Sequence, residues 1–320
     1  MSKTTEHAPV VVTGGAGAIG AVLARQVVAA GHPVRAIDNL SSGQRSRLAD
    51  LETTGKLQFH LHDLRDPSGM TEIFRGAGSV WHFAANPDIT KGTRDPRVDL
   101  EHGTIATSNV LEAARRADVR RILFSSSSVV YGLPTVFPTP ESYGPLLPQS
   151  QYGASKLASE GLISAYCHSY GMQSWIFRFA NIVGPGMTHG VVYDFLRKLQ
   201  RDPRRLEVLG DGRQAKSYLW VTDCVDGMLL AEERSKEPVN VFNLGTAQQV
   251  PVREIAERVV RAFGGTAKIE YTGGPRGWAG DIPVQLLSVE RIEALGWRPQ
   301  FDSSQSVDKA IVTGRSELGL

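Results

Sequence analysis

The chain has 320 residues, 41% of them hydrophobic and 21% charged, enough apolar material for one large or two unequal folded units in a single body. Thirty-five basic residues against 33 acidic ones leave a net charge of +2 with no block of like sign. That balance excludes an extended nucleic-acid or membrane surface and leaves a small anionic ligand open. Met1 to Pro9 is polar and lacks the apolar core of a signal peptide, and no run is long enough to span a bilayer, so the expected compartment is the cytoplasm. The two cysteines, Cys167 and Cys224, are far apart in sequence and fall in predicted helices, which suits buried reduced thiols better than a disulfide.

The first half alternates short β-branched runs with helical stretches, the pattern of a parallel sheet covered on both faces. Strands are predicted at Val10 to Thr13, Val34 to Ile37, Leu57 to Leu61, Val80 to Phe83, Ile122 to Ser125 and Trp175 to Phe179. The clearest helices are Ile19 to Ala30, Thr104 to Ala117 and Ala154 to Tyr170, of lengths that suit right-handed crossovers. After Pro185 the elements shorten and Gly and Pro become more frequent, with strand-like runs at Ser217 to Val221 and Val239 to Phe242 and a terminal helix after Phe301. The expected organisation is a dinucleotide domain over 1–182 with a returning segment near 219–250, and a substrate lobe over 183–218 and 251–320.

The first strand runs into Gly14-Gly15-Ala16-Gly17-Ala18-Ile19-Gly20 and then into a helix. Glycines there let the backbone turn tightly and approach a pyrophosphate, which the helix N-terminus then meets. The spacing Gly14-x-x-Gly17-x-x-Gly20 departs from the usual G-x-G-x-x-G, so context carries the reading. Asp38 closes the second strand where a carboxylate would accept hydrogen bonds from the adenosine ribose and repel the extra phosphate of NADP, which favours NAD. Asn39, Leu40, Ser42 and Gly43 continue that loop, and Asp63, Leu64, Phe83, Ala84 and Ala85 follow the third and fourth strands, where they would line the adenine and phosphates.

Tyr152 and Lys156 stand four apart, on one face at the start of a helix. A tyrosine acting as base near neutrality must titrate about three units below its usual 10, at a cost of roughly 4 kcal/mol. An ammonium about 4 Å away, at an effective dielectric near 20, supplies about that much. Tyr152 is therefore the candidate acid/base, with Lys156 lowering its pKa and holding the cofactor ribose. The strand before them ends in four hydroxyls, Ser125 to Ser128, any of which could share a proton with Tyr152 and a substrate oxygen.

These residues resemble the extended short-chain dehydrogenase/reductase family, and within it the NAD-dependent nucleotide-sugar epimerase/dehydratase group, on the side of its UDP-glucose (UDP-galactose) 4-epimerases. The resemblance rests on the glycine turn, Asp38-Asn39-Leu40, His82-Phe83-Ala84-Ala85-Asn86-Pro87-Asp88, the serine run with Tyr131-Gly132, Tyr152 to Lys156, Arg178-Phe179-Ala180-Asn181, Gly210-Asp211-Gly212 and Phe242-Asn243-Leu244-Gly245. It extends to Arg276-Gly277-Trp278-Ala279-Gly280-Asp281-Ile282-Pro283 in the second lobe. It implies a Rossmann-type doubly wound parallel sheet in the α/β class with a smaller, interleaved C-terminal α/β lobe. It also implies Ser127, Tyr152 and Lys156 as the catalytic set, with Ser125 beside the cofactor. Pro87, Ser127, Ser128, Asn181, Lys216 and Arg276 would contact a nucleotide sugar.

The implied reaction is oxidation at C4 of the sugar and return of hydride to the opposite face, with NAD retained between turnovers and no metal. Dehydratase relatives carry an Asp-Glu pair after the catalytic hydroxyl, where this chain has Ser128 and Val129. Relatives that take uronic acids often carry an Arg after Gly-Pro, where this chain has Gly186. A UDP-hexose is thus the expected substrate, with a UDP-uronic acid and a non-enzymatic NAD-sensing role as alternatives, and a homodimer through the second and third of the predicted helices as the expected assembly. Ala18, Gly103 and Val129 depart from the family pattern, the first two near the cofactor and the third in the substrate pocket.

Overall fold

The computed structural model describes residues 8–278 and 280–320, so Met1–His7 of the polar start and Ala279 of the second-lobe signature lie outside the described residues. Contacts divide the chain into two units. The first comprises Met1–Ser126, Gln151–Phe177 and Arg234–Val241, and the second Ser127–Ser150, Arg178–Glu233 and Phe242–Leu320. Ser127–Ser150, which lies inside the expected dinucleotide domain, thus groups with the second unit.

The first unit is organised by a seven-stranded sheet. Its strands are β1 (Val10–Thr13), β2 (Val34–Asp38), β3 (Leu57–Leu61), β4 (Ser79–His82), β5 (Arg121–Ser127), β6 (Gln173–Phe179) and Val239–Leu244. The spatial order is β3-β2-β1-β4-β5-β6, followed by Val239–Leu244, and β1 pairs in parallel with both β2 and β4. Strand order reverses between β1 and β4, and ligands of open α/β sheets bind outside the strand ends at that point. The last residues of β1 and β4 are register partners, Thr13 opposite His82.

Because helices cover the sheet, its strands read as continuous apolar runs rather than alternating ones. Val11, Ile37, Val80, Ile122 and Phe124 pack with Val110, Leu111 and Ala114 of helix Ala106–Arg116 and with Ile163 and Cys167 of helix Gln151–Tyr170. Each large side chain buried this fully contributes about 1.5–3 kcal/mol. Both cysteines are free and buried, and burial pushes the Cys167 thiol up.

Most boundaries shift by a residue or two, and three of the differences bear on the site. The reactive helix begins at Gln151, β5 runs on to Ser127, and the helix expected from Thr104 is two elements: a wide π turn over Leu100–Ile105 and an α-helix from Ala106. Buried Gly103 lies in that π turn, where a Cβ would stand 2.6 Å from Ser155 Oγ of the reactive helix. A glycine allows this close approach, and π turns inside helices recur at functional sites.

In the second unit, Asn181–Val183 pairs in parallel with Tyr218–Trp220. Ala215–Lys216 lies between Val250–Pro251 and Val284–Gln285. Helices Val191–Arg201, Val252–Ala262 and Ser303–Glu317 bury one apolar cluster that includes Phe195, Leu199, Ile255, Val259, Val307 and Ile311. The last helix starts on a reciprocal cap in which Asp302 accepts from the Gln305 amide and the Gln305 side chain accepts from the Asp302 amide.

Candidate active site

The glycine turn leaves β1 with Gly14 at a φ of +67°, donating its amide to Ile37 O at 2.8 Å. A Cβ on Gly14 would lie 2.8 Å from the Ala84 amide nitrogen, and one on Gly20 would lie 2.3 Å from Gly14 O. The turn is therefore closed against backbone on two sides, and only glycine fits. Gly17 caps the following helix, Ala18–Ala29, without any side-chain hydrogen bond, which leaves the first-turn amides of Ala18, Ile19 and Gly20 free of a side-chain cap.

At the end of β2, Asp38 accepts from the Ala16 amide at 3.1 Å and the Leu40 amide at 2.8 Å. Leu40 has a φ of +59°, a left-handed conformation that costs a non-glycine residue of order 1 kcal/mol and here aims its amide at Asp38. Gly43 comes so close that a Cβ would lie 2.8 Å from both Asp38 oxygens. Asn39 donates to Asp63 at 3.0 Å, and the Arg65 guanidinium beside Asp63 holds that carboxyl well below the usual range. Phe83 binds back to Thr13 O through its amide, and Ala84 and Ala85 follow, half-buried. Ser42 is exposed, and the Leu64 side chain belongs to the hydrophobic core. A glycine cradle that a Cβ would fill, a helix start without a side-chain cap and a carboxylate fixed by two amides together fit a dinucleotide.

Helix Gln151–Tyr170 brings Tyr152 and Lys156 to one face. Lys156, only 2% exposed, donates to Ser125 O at 2.5 Å and lies 4.7 Å from the centre of the Phe124 ring and 5.7 Å from that of Tyr152. Burial brings its ammonium down to about 7, against the opposing pull of Glu160 and Asp99. The Tyr152 phenol is raised, by burial first and by Asp99 second. The direction is the reverse of that expected from spacing alone, since desolvation and the Asp99 carboxylate both disfavour the phenolate.

Ser127 ends β5 and caps the short turn Ser128–Tyr131, its Oγ accepting from the Val129 amide at 3.4 Å. In the same unit Ser128 Oγ accepts from Gln285, and Gln285 Oε1 accepts from Asn181 at 3.0 Å. Lys216 pairs with Asp281 at 2.7 Å, and Asp281 also accepts from the Gly277 amide at 3.0 Å, which folds back the loop that carries the exposed Arg276. Pro87 is half-buried in the first unit, after Asn86.

Three buried polar groups of the first unit were given no role by sequence reasoning. Asp99 is buried, with one oxygen accepting from Asn86 at 3.0 Å and the other without a partner. Glu160 accepts from Ser126 at 2.5 Å, four residues beyond Lys156 on the same helix. His82 bridges two threonines; sequence reasoning met it only as the first residue of the His82-to-Asp88 stretch and gave it no role. Among the described residues no cluster of His, Cys, Asp or Glu could hold a metal, and no helix is long and apolar enough to cross a membrane.

A parallel sheet with a glycine turn and acid at its switch point, and a Tyr-Lys pair on the next crossover helix, define an enzyme of the short-chain dehydrogenase/reductase type. Over residues 10–245 the chain matches the profile of the NAD dependent epimerase/dehydratase family, and it belongs to that family. The UDP-glucose 4-epimerase of Mycolicibacterium smegmatis is 32% identical over 308 residues, 94% of this chain and 96% of that protein. A solved UDP-galactose 4-epimerase is 39% identical with a TM-score of 0.88, covering 97% of this chain and 99% of its own. The Thermus thermophilus UDP-glucose 4-epimerase, solved in complex with NAD, is 30% identical with a TM-score of 0.84, covering 96% and 99% respectively. NAD is accordingly the cofactor of this chain, and the residues of the cradle fit it.

Proposed function

We propose that the chain is an NAD-dependent 4-epimerase of a UDP-hexose, interconverting UDP-glucose and UDP-galactose. The observation that carries this reading is the Tyr152–Lys156 pair at the start of helix Gln151–Tyr170, in the same unit as the Asp38 and glycine-turn cradle and in a chain 39% identical to a UDP-galactose 4-epimerase. Tyr152 takes the proton of the sugar 4-hydroxyl and later returns it, while Lys156 holds its charge against the Phe124 and Tyr152 rings and orients the cofactor ribose. When bound, NAD accepts the C4 hydride, returns it to the opposite face, and adds a positive charge that favours the ionised phenol. Ser127 donates to the substrate oxygen, and Gly14, Gly17, Ala18, Ile19 and Gly20 hold the pyrophosphate at the helix start.

The acids that drive elimination in dehydratases have no counterpart at Ser128 and Val129, which supports a cycle without net redox or dehydration. Asn181, Lys216 and Arg276 serve the diphosphate and sugar, and Pro87 the pocket wall. The two buried free thiols support a cytoplasmic setting. Exposed Leu100 and Ile105, at 48% and 41%, support a homodimer built on this helical face, whereas Leu111 is buried in the core. Purified protein is expected to carry NAD and to interconvert the two UDP-hexoses without added cofactor, followed by the anomeric signals in NMR. Inactivity on both and on their N-acetyl forms would overturn the reading, as would accumulation of NADH in proportion to substrate.

A further inference from the structure

The ends of β1 and β4 carry a buried polar chain that the cycle above does not use. Thr13 Oγ1 lies 2.6 Å from His82 Nδ1, and His82 Nε2 lies 3.0 Å from Thr107 Oγ1. Thr107 Oγ1 donates to Gly103 O at 2.7 Å, in the π turn, and Ser159 Oγ stands 3.1 Å from Thr107 Oγ1 and donates to Ser155 O at 2.8 Å. His82, Thr13, Thr107 and Ser159 are each at most 1% exposed, so every proton must have a protein acceptor.

Proton counting assigns the tautomer. Thr107 has one hydroxyl proton and gives it to Gly103 O, so the ring must donate from Nε2, and Nδ1 then accepts from Thr13. An imidazolium would donate from both nitrogens, reversing the Thr13 contact and leaving the buried Thr13 hydroxyl proton to find another acceptor. Burial, and Lys156 after it, bring the ring down to about 3, which keeps it neutral across the physiological range. The main chain repeats the link: Ser125 Oγ donates to His82 O at 3.2 Å, and Ser125 O accepts from Lys156.

We propose that neutral His82, as its Nε2–H tautomer, is a positioning residue that locks the residue before the glycine turn to the π turn and the reactive helix. The dinucleotide turn and the Lys156 ammonium are then held in one frame. Two discrete ends of the site are involved. Thr13 leads directly into Gly14, and Ser159 lies one turn beyond Lys156. This inference rests on NAD being the cofactor and, for its kinetic arm alone, on the proposed epimerisation.

The test is made on the full chain with NAD binding measured by calorimetry, a readout independent of any sugar. His82→Phe keeps a ring and removes both hydrogen bonds, and is expected to weaken NAD about tenfold or more, by the size of two lost buried hydrogen bonds. His82→Gln, which can both donate and accept, is expected to recover at least half of that loss on a logarithmic scale. With UDP-galactose, His82→Phe is expected to lower kcat more than it raises KM. Nitrogen-15 shifts of the His82 ring are expected to show one protonated Nε2 and no titration from pH 5 to 9. If His82→Phe does not fold, Thr107→Val decides, since it keeps the shape and the imidazole; a loss of NAD affinity of about threefold or more supports the lock. Loss below threefold in the variant that decides, equal losses in His82→Phe and His82→Gln, or an Nδ1–H or doubly protonated ring at pH 7 overturns it. Absent epimerisation with these binding and tautomer results intact would sink the substrate assignment and leave the lock standing.

Discussion

Two lysines singled out by sequence have met opposite fates. Lys156, in the first unit, is 2% exposed, donates to a backbone carbonyl and is brought down to about 7 by burial. Lys216, in the second, stands 2.7 Å from Asp281, whose other oxygen ties down the Gly277 amide. The same contrast extends to their neighbours. Tyr152 and Asp99 are shifted by desolvation, and one Asp99 oxygen has no partner, whereas Ser128, Gln285 and Asn181 bond to one another. A reacting group must be kept out of water and off a permanent counter-ion, or its proton affinity is fixed. A group that merely recognises substrate can be pre-organised by its neighbours. The surroundings of Lys156 and Tyr152 suit a reacting pair and those of Ser128, Gln285 and Asn181 a recognising one, while Ser127 of the proposed catalytic set opens the second unit.

The sharpest way to break this contrast is to remove the reacting oxygen. Tyr152→Phe is expected to lower kcat by about 10²–10⁴-fold, the usual worth of a positioned acid/base, while NAD binding and thermal stability stay close to the parent. Steady-state rates on UDP-galactose and cofactor content measured together check it; a kcat within tenfold would remove Tyr152 from the chemistry. Next comes the cost of burying Lys156. Its folded value near 7 lies below the ordinary 10.5, so below pH 7 both folded and unfolded chains carry the proton and the full penalty applies. Between 7 and 10.5 the unfolded chain binds more protons than the folded one, and stability rises with pH. The shift amounts to about 4–5 kcal/mol at most. Lys156→Met is therefore expected to stabilise the nucleotide-free chain most below pH 7 and to flatten its stability between pH 7 and 10. Urea unfolding across that range decides, and a parent curve that already falls with pH in this window would contradict the burial.

Asp38 offers a smaller effect of the same kind. Asp38→Ala removes the acceptor for the Ala16 and Leu40 amides and the negative charge at the ribose end of the cradle. NAD affinity is expected to fall about tenfold and NADP affinity to fall less, so that the preference between them narrows. Calorimetry with each dinucleotide measures the ratio. An unchanged ratio would assign the carboxylate to the loop alone, as the anchor of left-handed Leu40.

The difference between the units also explains what could be read in advance. Strands β1 to β4 and the helix holding Tyr152 were legible because a parallel sheet demands apolar runs, glycine at the turn and an acid at the next strand end, all local in sequence. Tyr152 and Lys156 were legible because helix geometry alone brings residues four apart together. His82 stood in a stretch that carries the resemblance, yet its role was not legible, since its partners Thr13 and Thr107 are brought in by the 13–82 register and by the π turn that holds Gly103 against Ser155. The pKa direction of Tyr152 was misread for the same reason, because burial is a tertiary quantity. Gln285 carried no signal at all: it lies 157 positions from Ser128, and nothing local marks it as that hydroxyl's donor.

The smallest predicted effect tests the recognition side on its own terms. Ser128 Oγ accepts from Gln285, and Gln285 in turn holds Asn181, whose amide also donates to Ser217 O at 3.1 Å. Ser128→Ala removes one acceptor in this chain and leaves a buried amide proton of Gln285 to find another, at a cost of about 1–3 kcal/mol to the local arrangement. If these side chains only shape the pocket, that disturbance reaches substrate and transition state alike, so KM for UDP-galactose is expected to rise about three- to tenfold with kcat nearly unchanged. Gln285→Leu, which withdraws the donor together with the bond to Asn181, is expected to give the same split and to add little when combined with Ser128→Ala, because both act on one chain of contacts. A drop in kcat matching that in kcat/KM would instead place Ser128 among the groups whose contact strengthens in the transition state. The contrast between desolvated reacting groups and mutually bonded recognising ones would then fail at Ser128, one residue beyond Ser127.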